Sequence, residues 1–303
     1  MNASVHLLRR VLPATVHIQA DIPEDHASAA ILGAERMGTG VILGSAGAIV
    51  TAHYVLIGAR SVQVTSIDGT TVPGQIVGID YQSGLGVVAA PGLPARGLAL
   101  RPPEEEVVVG EDCFVVASVG EGRQVRTGFV ASLGPFDAFW EYMLEQAILA
   151  SPENPGLGGG PLADLQGRVI GIAALSLAEV GRSTFAIPSS LIAPILEGIR
   201  ESGRYTAAAP RAWLGLTCYS LRRHVVVAGV IPGSPAAHAG VKPGDLVLAI
   251  DGVQVGERRE LFERLWQRKS GEPVFLRLFR DDRTIEVEVQ TSSVESFFGG
   301  RSS

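Results

Sequence analysis

The chain has 303 residues, of which 46% are hydrophobic and 18% are charged. This balance excludes a disordered chain, and the length suits two domains better than one core. The formal charge of −6 and the lack of any Lys/Arg-rich run argue against nucleic acid as a partner.

Several other kinds of site and segment are not expected. The two cysteines, Cys113 and Cys218, fall in different predicted domains, which argues against a structural disulfide. The histidines lack the paired spacing of metal ligands, so we predict neither a metal site nor another cofactor. The histidines are His6, His17, His26, His53, His224 and His238. No apolar stretch reaches the ~18 residues of a membrane helix, so no integral membrane segment is predicted, and residues 1–10 lack the apolar core of a signal peptide.

Residues 1–204 are predicted to form a β-rich domain. Between residues 11 and 181, short segments rich in β-branched residues alternate with turn signals such as Asp68-Gly69. They fall into two sets of about six strands, which predicts two barrels or sandwiches. Residues 101–109, with two prolines and three successive glutamates, fit the crossing between the two sets.

The pattern changes after this region. Apolar residues at helical spacing predict a helix over 188–200 that packs against the preceding barrel. Residues 205–212 are predicted to be a linker. Residues 213–291 combine four strand patterns with two short helices, which predicts a compact α+β domain. The Ser/Gly-rich residues 292–303 are predicted to be a flexible tail.

Several segments resemble, in order and spacing, the HtrA (DegP-like) family of serine proteases. The segments are 38–43, 47–51, 126–134, 154–162, 167–172 and 185–188, followed by 232–237 and 240–245. The resemblance implies a mainly β fold, namely a trypsin-like double six-stranded β-barrel followed by an α+β PDZ domain. It also implies a periplasmic or otherwise extracytoplasmic location.

The family's three catalytic positions are altered in this chain. A serine protease needs a hydroxyl nucleophile, an imidazole that takes its proton and a carboxylate that orients the imidazole. By comparison with the family motifs, Gly158 stands for the serine, Tyr54 for the histidine and Gly84 for the aspartate. Tyr54 is expected to fill the former histidine site as a packed aromatic residue. The backbone at Gly156 and Gly158 is expected to form an oxyanion-hole-like nest for an anion or a peptide carbonyl.

A rearranged catalytic centre is the alternative. His53, one position before Tyr54, would act as the base, and Asp80 would supply the carboxylate. Ser151 or Ser83 would supply the hydroxyl. Each of these residues would need a separate backbone shift to reach a catalytic position. Because catalysis is lost by misplacements of about 1 Å, the need for several shifts argues against this alternative.

The predicted PDZ domain carries the peptide-binding residues. PDZ domains bind a peptide at a sheet edge and hold its C-terminal carboxylate on backbone amides. The loop that binds the carboxylate in this family is matched by Trp213, Leu214, Gly215 and Leu216. Arg211, just upstream, would add a positive charge. On the facing helix, Leu261 and Leu265 either line the groove or belong to the core. An apolar groove would favour an apolar C-terminal residue on the ligand.

These observations predict a catalytically inactive, HtrA-like pseudoprotease that binds peptides or proteins through its PDZ domain as a scaffold or regulator. The expected partners are protein C-termini or unfolded peptides, further copies of the chain in a trimer, or an active HtrA paralogue. The alternative is an active serine-type endopeptidase in protein quality control with His53 as the base. Proteolysis assays would separate the two hypotheses.

Overall fold

The computed structural model describes residues 3–44, 47–93, 96–119, 122–177, 183–202, 205 and 208–299. The chain divides into two compact units. The first unit consists of Met1–Pro135 and Glu145–Ala207, and the second of Phe136–Leu144 and Ala208–Ser303. The sequence predicted one change of domain near residue 205. It did not indicate that Phe136–Leu144 belongs with the second unit.

The first unit begins with a closed six-stranded barrel in the order β1-β2-β3-β6-β5-β4, and all neighbouring strands are antiparallel. The strands are β1 Thr15–Asp21, β2 Glu35–Leu43, β3 Ala48–Ala52, β4 Ser61–Thr65, β5 Thr71–Asp80 and β6 Leu85–Ala89. Alternate residues of β1, namely Val16, Ile18 and Ala20, are buried in the barrel core. This alternation is the expected consequence of the period-two geometry of a strand.

A second closed barrel follows, in the order β10-β11-β12-β9-β8-β7. Its strands are β7 Asp112–Val119, β8 Gly122–Asp137, β9 Met143–Ala150, β10 Gly160–Asp164, β11 Val169–Leu177 and β12 Ser183–Pro188. The helices of the first unit are α1 Ala3–Ala14, α2 Ala29–Leu32 and α3 Ile192–Ser202. The prediction of two six-stranded barrels is confirmed. The helix predicted over 188–200 is a 3₁₀ turn, Ser189–Leu191, that continues into α3.

The second unit is an α+β domain around one sheet in the order β13-β14-β15-β17-β18, with β16 paired to β15. The strands are β13 Leu216–Leu221, β14 His224–Val230, β15 Leu246–Ile250, β16 Val253–Gln254, β17 Pro273–Arg280 and β18 Arg283–Gln290. The helices are α4 Pro235–His238, α5 Arg258–Leu265 and α6 Val294–Gly299. Ser234 caps α4 as its sequence position predicts, because its hydroxyl accepts a hydrogen bond from the Ala237 N–H at 3.3 Å.

The end of the second unit departs from the predicted flexible tail. The backbone of Trp213 exchanges two hydrogen bonds with Ser292, at 2.8 and 3.1 Å. Beyond Ser292, helix α6 places the Phe297 ring 4.7 Å from the Trp213 ring and buries Phe298. The two phenylalanines supply the apolar surface that holds 292–299 in place. Residues 300–303 lie outside the described residues.

Two general findings concern the described part of the chain. It contains no helix long and apolar enough to cross a membrane, and no cluster of three or more His, Cys, Asp or Glu suited to a metal ion.

Cys113 and Cys218 are both buried free thiols, and burial raises the pKa of each to about 12. Both are therefore protonated at neutral pH and weak nucleophiles.

Candidate active-site positions and peptide-binding loop

Tyr54 and Gly158 lie against each other. Tyr54 sits in a 3₁₀ turn, His53–Val55, directly after β3, and Gly158 lies just before β10. The Tyr54 hydroxyl donates a hydrogen bond to the carbonyl of Ala174 at 3.0 Å, and burial raises the pKa of this phenol to about 12. A Cβ on Gly158 would overlap the Tyr54 hydroxyl and lie 2.8 Å from the Ala174 oxygen. The tyrosine therefore fills the space that a serine side chain at position 158 needs.

The glycine-rich loop before β10 is held by backbone hydrogen bonds to its neighbours. The carbonyl of Gly158 accepts from the Thr39 N–H at 2.7 Å, and the Thr39 hydroxyl donates to the carbonyl of Leu157 at 2.6 Å. The Gly159 N–H donates to the carbonyl of Ala173 at 2.6 Å. The N–H of Gly156 points to the side-chain oxygen of Asn154 at 3.4 Å, a long hydrogen bond. The oxyanion-hole-like role of Gly156 and Gly158 stays a prediction.

Gly84 occupies a backbone conformation that disfavours a carboxylate residue at that position. Its φ of +81° lies in the left-handed region, where glycine is favoured over an aspartate. Its N–H donates to the carbonyl of Asp80 at 2.9 Å, and its own carbonyl accepts from the His53 N–H at 2.8 Å. The backbone of the turn before β6 therefore favours glycine at position 84. The side-chain carboxylate in this turn is that of Asp80.

The turn at residues 80–84 joins Ser83 to Asp80 and lies against His53. The Ser83 hydroxyl donates to a carboxylate oxygen of Asp80 at 2.8 Å, and the Gln82 N–H donates to the other oxygen at 2.9 Å. The His53 ring lies edge-on to Tyr81, with ring centres 5.8 Å apart. Burial lowers the pKa of His53 to about 4, although the Gly84 carbonyl and the Asp80 charge act in the opposite direction. The imidazole is therefore neutral at neutral pH.

Ser151, the other hydroxyl considered in the sequence, belongs to the second barrel. It follows β9, and its hydroxyl oxygen accepts a hydrogen bond from the Phe129 N–H at 2.9 Å. Its backbone N–H donates to the Phe129 carbonyl, also at 2.9 Å. Because these two hydrogen bonds hold Ser151 against β8, Ser151 has a structural role in the second barrel.

The predicted carboxylate-binding loop, residues 213–216, does hold a carboxylate. The N–H groups of Leu214, Gly215 and Leu216 donate to the side-chain carboxylate of Glu141 at 2.9, 2.9 and 3.0 Å. Burial raises the pKa of Glu141 to about 7, although these N–H donors act in the opposite direction. The N–H of Trp213 is not part of this arrangement, because it donates to Ser292. Nothing local in the sequence pointed to Glu141, which lies 73 positions from Leu214.

The remaining predicted peptide-binding residues are placed as follows. Leu261 and Leu265 of α5 are 1% and 0% exposed and belong to the apolar core of the second unit. Met143 joins the same cluster with 6% exposure. Arg211, predicted as an additional charge beside the loop, stacks its guanidinium 4.5 Å from the centre of the Trp266 ring.

The comparisons with known proteins agree with this architecture. The trypsin-like peptidase domain family matches residues 38–172, and the PDZ domain family matches residues 212–291. A probable periplasmic serine endoprotease, DegP-like, of Hahella chejuensis is 28% identical over 279 residues. The chain is therefore similar to HtrA-type serine endoproteases. That alignment covers 84% of this chain and 57% of the relative, so the chain spans little more than half of the relative's length.

A further relative and two solved structures show the same similarity. The putative serine protease HhoA of Synechocystis is 28% identical over 86% of this chain and 71% of its own length. The HtrA-type protease AlgW in complex with a decapeptide is 24% identical, with a TM-score of 0.55 over 97% of this chain and 99% of its own. The serine endoprotease of Yersinia pestis is 23% identical, with a TM-score of 0.55 over 97% and 98%. These structural likenesses establish the fold.

The comparisons correct one prediction. The sequence-based prediction that the chain is not an enzyme is contradicted, because the relatives are named serine endoproteases and the structural neighbours HtrA-type proteases. The prediction weighed three substituted positions, Tyr54, Gly84 and Gly158, and took them to decide the activity of the whole chain.

Proposed function

We propose that this HtrA-type homologue recognises the C-termini of proteins or unfolded peptides through its PDZ domain. One observation carries the proposal: three consecutive backbone N–H groups, those of Leu214, Gly215 and Leu216, converge on one carboxylate. A buried carboxylate is stabilised only where donors replace its water shell. Strand β13 forms the adjacent edge of the sheet, where a ligand strand would pair through its backbone.

The proposal predicts that binding depends on the free carboxylate. We expect the full chain to bind a fluorescein-labelled peptide with a C-terminal carboxylate at least tenfold more tightly than the same peptide with a C-terminal amide, as measured by fluorescence anisotropy. The amide lacks the charge that the three N–H groups stabilise. Equal affinity for the two peptides would contradict the proposal.

A variant of the loop tests its geometry. Gly215 has a φ of +84°, and a Cβ there would overlap the side chain of Ser234. We expect Gly215→Ala to reposition the loop and to weaken carboxylate binding by tenfold or more. Gly271→Ala is the matched control, because Gly271 has a φ of +91° with open space around it. If both variants bind as the parent chain does, the loop is not the binding site.

The names of the relatives favour a second function, cleavage of polypeptides by a serine endoprotease, and the resemblance to the HtrA family suggests that it serves protein quality control. In this chain the proposed groups are His53 as base, Asp80 as the carboxylate and Ser83 as the hydroxyl, since the turn before β6 holds Ser83 on Asp80 and lies against His53. For the reaction, the hydrogen bond from Ser83 to Asp80 would have to break, and Ser83 Oγ would then attack the peptide carbonyl while its proton passes to the neutral imidazole. The lowered pKa of His53 makes this imidazole a weak base, so a low rate is expected at neutral pH.

Hydrolysis of fluorescently labelled casein tests the second function. We expect Ser83→Ala and His53→Ala to lower the rate at least a hundredfold, since each removes a group that the reaction needs. Ser132→Ala is the matched control, because Ser132 is exposed on β8 and its loss leaves the rate unchanged. A rate that is the same in all three variants would assign the cleavage to other groups or to a contaminating protease.

Assembly is a further proposal. The resemblance to HtrA proteases suggests a homotrimer or a complex with an active HtrA paralogue, with helix α1 at the interface. Val5 of α1 is 42% exposed and available for such a contact. Size-exclusion chromatography with light scattering on the parent chain and on Val5→Glu tests the proposal, since a charge in an apolar interface shifts the equilibrium to monomers.

A further inference from the structure

The segment Phe136–Leu144, called here the internal segment, lies in the peptide groove of the PDZ domain. It connects β8 and β9 of the first unit in sequence, but it is part of the second unit in space. The side-chain carboxylate of its Glu141 receives the three N–H groups of the carboxylate-binding loop. A C-terminal carboxylate would have to occupy the same donors.

The backbone of the internal segment follows the edge of β13. Trp140 pairs in antiparallel fashion with Thr217, and the Cys218 N–H donates to the Phe139 carbonyl at 2.6 Å. The segment therefore runs toward the carboxylate-binding loop, antiparallel to β13. This is the strand-addition geometry of a peptide ligand, with a glutamate side chain in place of the terminal carboxylate.

The beginning of the internal segment is held by a charge on helix α5. Arg258 Nε donates to a carboxylate oxygen of Asp137 at 2.8 Å, and Arg258 Nη2 donates to the Asp137 carbonyl at 2.8 Å. Arg259 lies 4.0 Å from the other carboxylate oxygen. Both side chains of the Arg258–Asp137 pair are only partly exposed, so solvent screens the interaction incompletely.

The end of the internal segment is anchored by apolar contact. Met143 packs into the cluster that contains Leu261 and Leu265 of α5. The segment thus makes three kinds of contact with the groove: a carboxylate on the loop, backbone pairing with β13, and an apolar side chain in the core. A free peptide cannot use the loop donors or this part of β13 while the segment is in place.

We propose that the internal segment is an intramolecular ligand, and that the external ligand which displaces it is a protein C-terminus with an acidic residue about four positions before its end. The acidic residue corresponds to Asp137, four positions before Glu141, and pairs with Arg258. The inference rests on the proposed recognition of C-termini by the PDZ domain. It adds a competitor encoded in the same chain and a sequence preference of the ligand.

Removal of Glu141 tests the competition. The probe is a fluorescein-labelled peptide, Phe-Asp-Ala-Phe-Trp-Val, with a free C-terminal carboxylate, titrated with the full chain. We expect Glu141→Ala to bind it about tenfold more tightly than the parent chain, because a groove that is nine-tenths occupied shows a tenfold weakened apparent affinity. Glu145→Ala is the matched control, since Glu145 is exposed on β9 and belongs to the first unit.

The outcomes separate this inference from the proposed function. Tighter binding by Glu141→Ala but not by Glu145→Ala, together with rejection of the amidated peptide, supports both. If the parent chain and Glu141→Ala bind the carboxylate peptide equally well, the internal segment is not a competitor and only this inference fails. If neither binds it while circular dichroism shows both folded, the proposed recognition of C-termini fails and this inference fails with it.

A reversible cross-link tests the same competition without removing the carboxylate. Trp140 and Thr217 are antiparallel partners, a geometry that places paired Cα atoms within reach of a disulfide. We expect Trp140→Cys combined with Thr217→Cys to lose peptide binding when oxidised and to regain it with a reductant. An oxidised protein, verified by mass spectrometry, that binds the probe as tightly as the reduced one would overturn the proposal.

The preference for an acidic residue has its own test. In the Glu141→Ala background, we expect the probe to bind about threefold more tightly than a version with alanine in place of its aspartate, in line with a partly exposed ion pair. Arg258→Ala should abolish this difference, and Arg264→Ala, an exposed arginine of the same helix, should retain it. Equal affinity for both peptides would overturn the assigned sequence preference.

Discussion

Gly158→Ser on its own is expected to destabilise the first unit by about 1–3 kcal/mol, the range typical of overpacked sites. The new Cβ would overlap the Tyr54 hydroxyl and lie 2.8 Å from the Ala174 carbonyl oxygen. Tyr54→Phe removes the overlapping oxygen, and the serine hydroxyl can then donate to the Ala174 carbonyl that the tyrosine hydroxyl has released. We therefore expect the double variant to be less destabilised than the sum of the two single variants.

Urea unfolding of the four proteins in this double-mutant cycle measures the coupling. All three tryptophans, Trp140, Trp213 and Trp266, lie in the second unit, so tryptophan fluorescence reports that unit and far-ultraviolet circular dichroism is needed for the barrels. We expect a coupling free energy between about 0.5 and 3 kcal/mol, the range for residues in contact. Gly134→Ser is the control, because a Cβ at Gly134 meets open space. Additive effects of Tyr54→Phe and Gly158→Ser would contradict the close packing of the two positions.

The second large effect is the loss of stability in acid that His53 causes. Burial lowers the pKa of His53 in the folded chain to about 4, below the ordinary histidine value of 6.5 that applies to the unfolded chain. The unfolded state therefore binds the proton more readily, so the stabilising contribution is fully present above pH 6.5 and is lost as the pH falls through 4. The difference of the two pKa values corresponds to a loss on the order of 3 kcal/mol.

The variant His53→Gln isolates this contribution. We expect the parent chain to lose on the order of 3 kcal/mol more between pH 7.5 and pH 4 than His53→Gln does, in urea unfolding followed by circular dichroism. His224→Gln is the control, because His224 is exposed at the start of β14, and it should keep the pH dependence of the parent chain. Parallel stability curves for the parent chain and His53→Gln would place the imidazole in a solvated environment.

The sequence by itself determined the order of the strands and helices and the identity of the local motifs. Alternating apolar residues and turn signals are properties of neighbouring positions, so they predicted the strands. The loop at 213–216 was predicted from the resemblance to the family. By comparison with the family motifs, Tyr54, Gly84 and Gly158 stand at the three catalytic positions, and the sequence therefore predicted that the chain is not an enzyme. The comparison with its relatives, which are named serine proteases, contradicts that prediction.

The tertiary structure alone decided which groups meet. Tyr54 reaches Ala174 across 120 positions, and the Glu141 carboxylate reaches the N–H of Leu214 across 73. It also decided that Phe297 and Phe298 hold a helix against Trp213 where the composition had predicted a flexible tail. Such contacts depend on how strands register and units pack, and no local pattern of residue types encodes them. The proposed competition for the groove rests on one of them, the contact of the Glu141 carboxylate with the N–H groups of Leu214, Gly215 and Leu216.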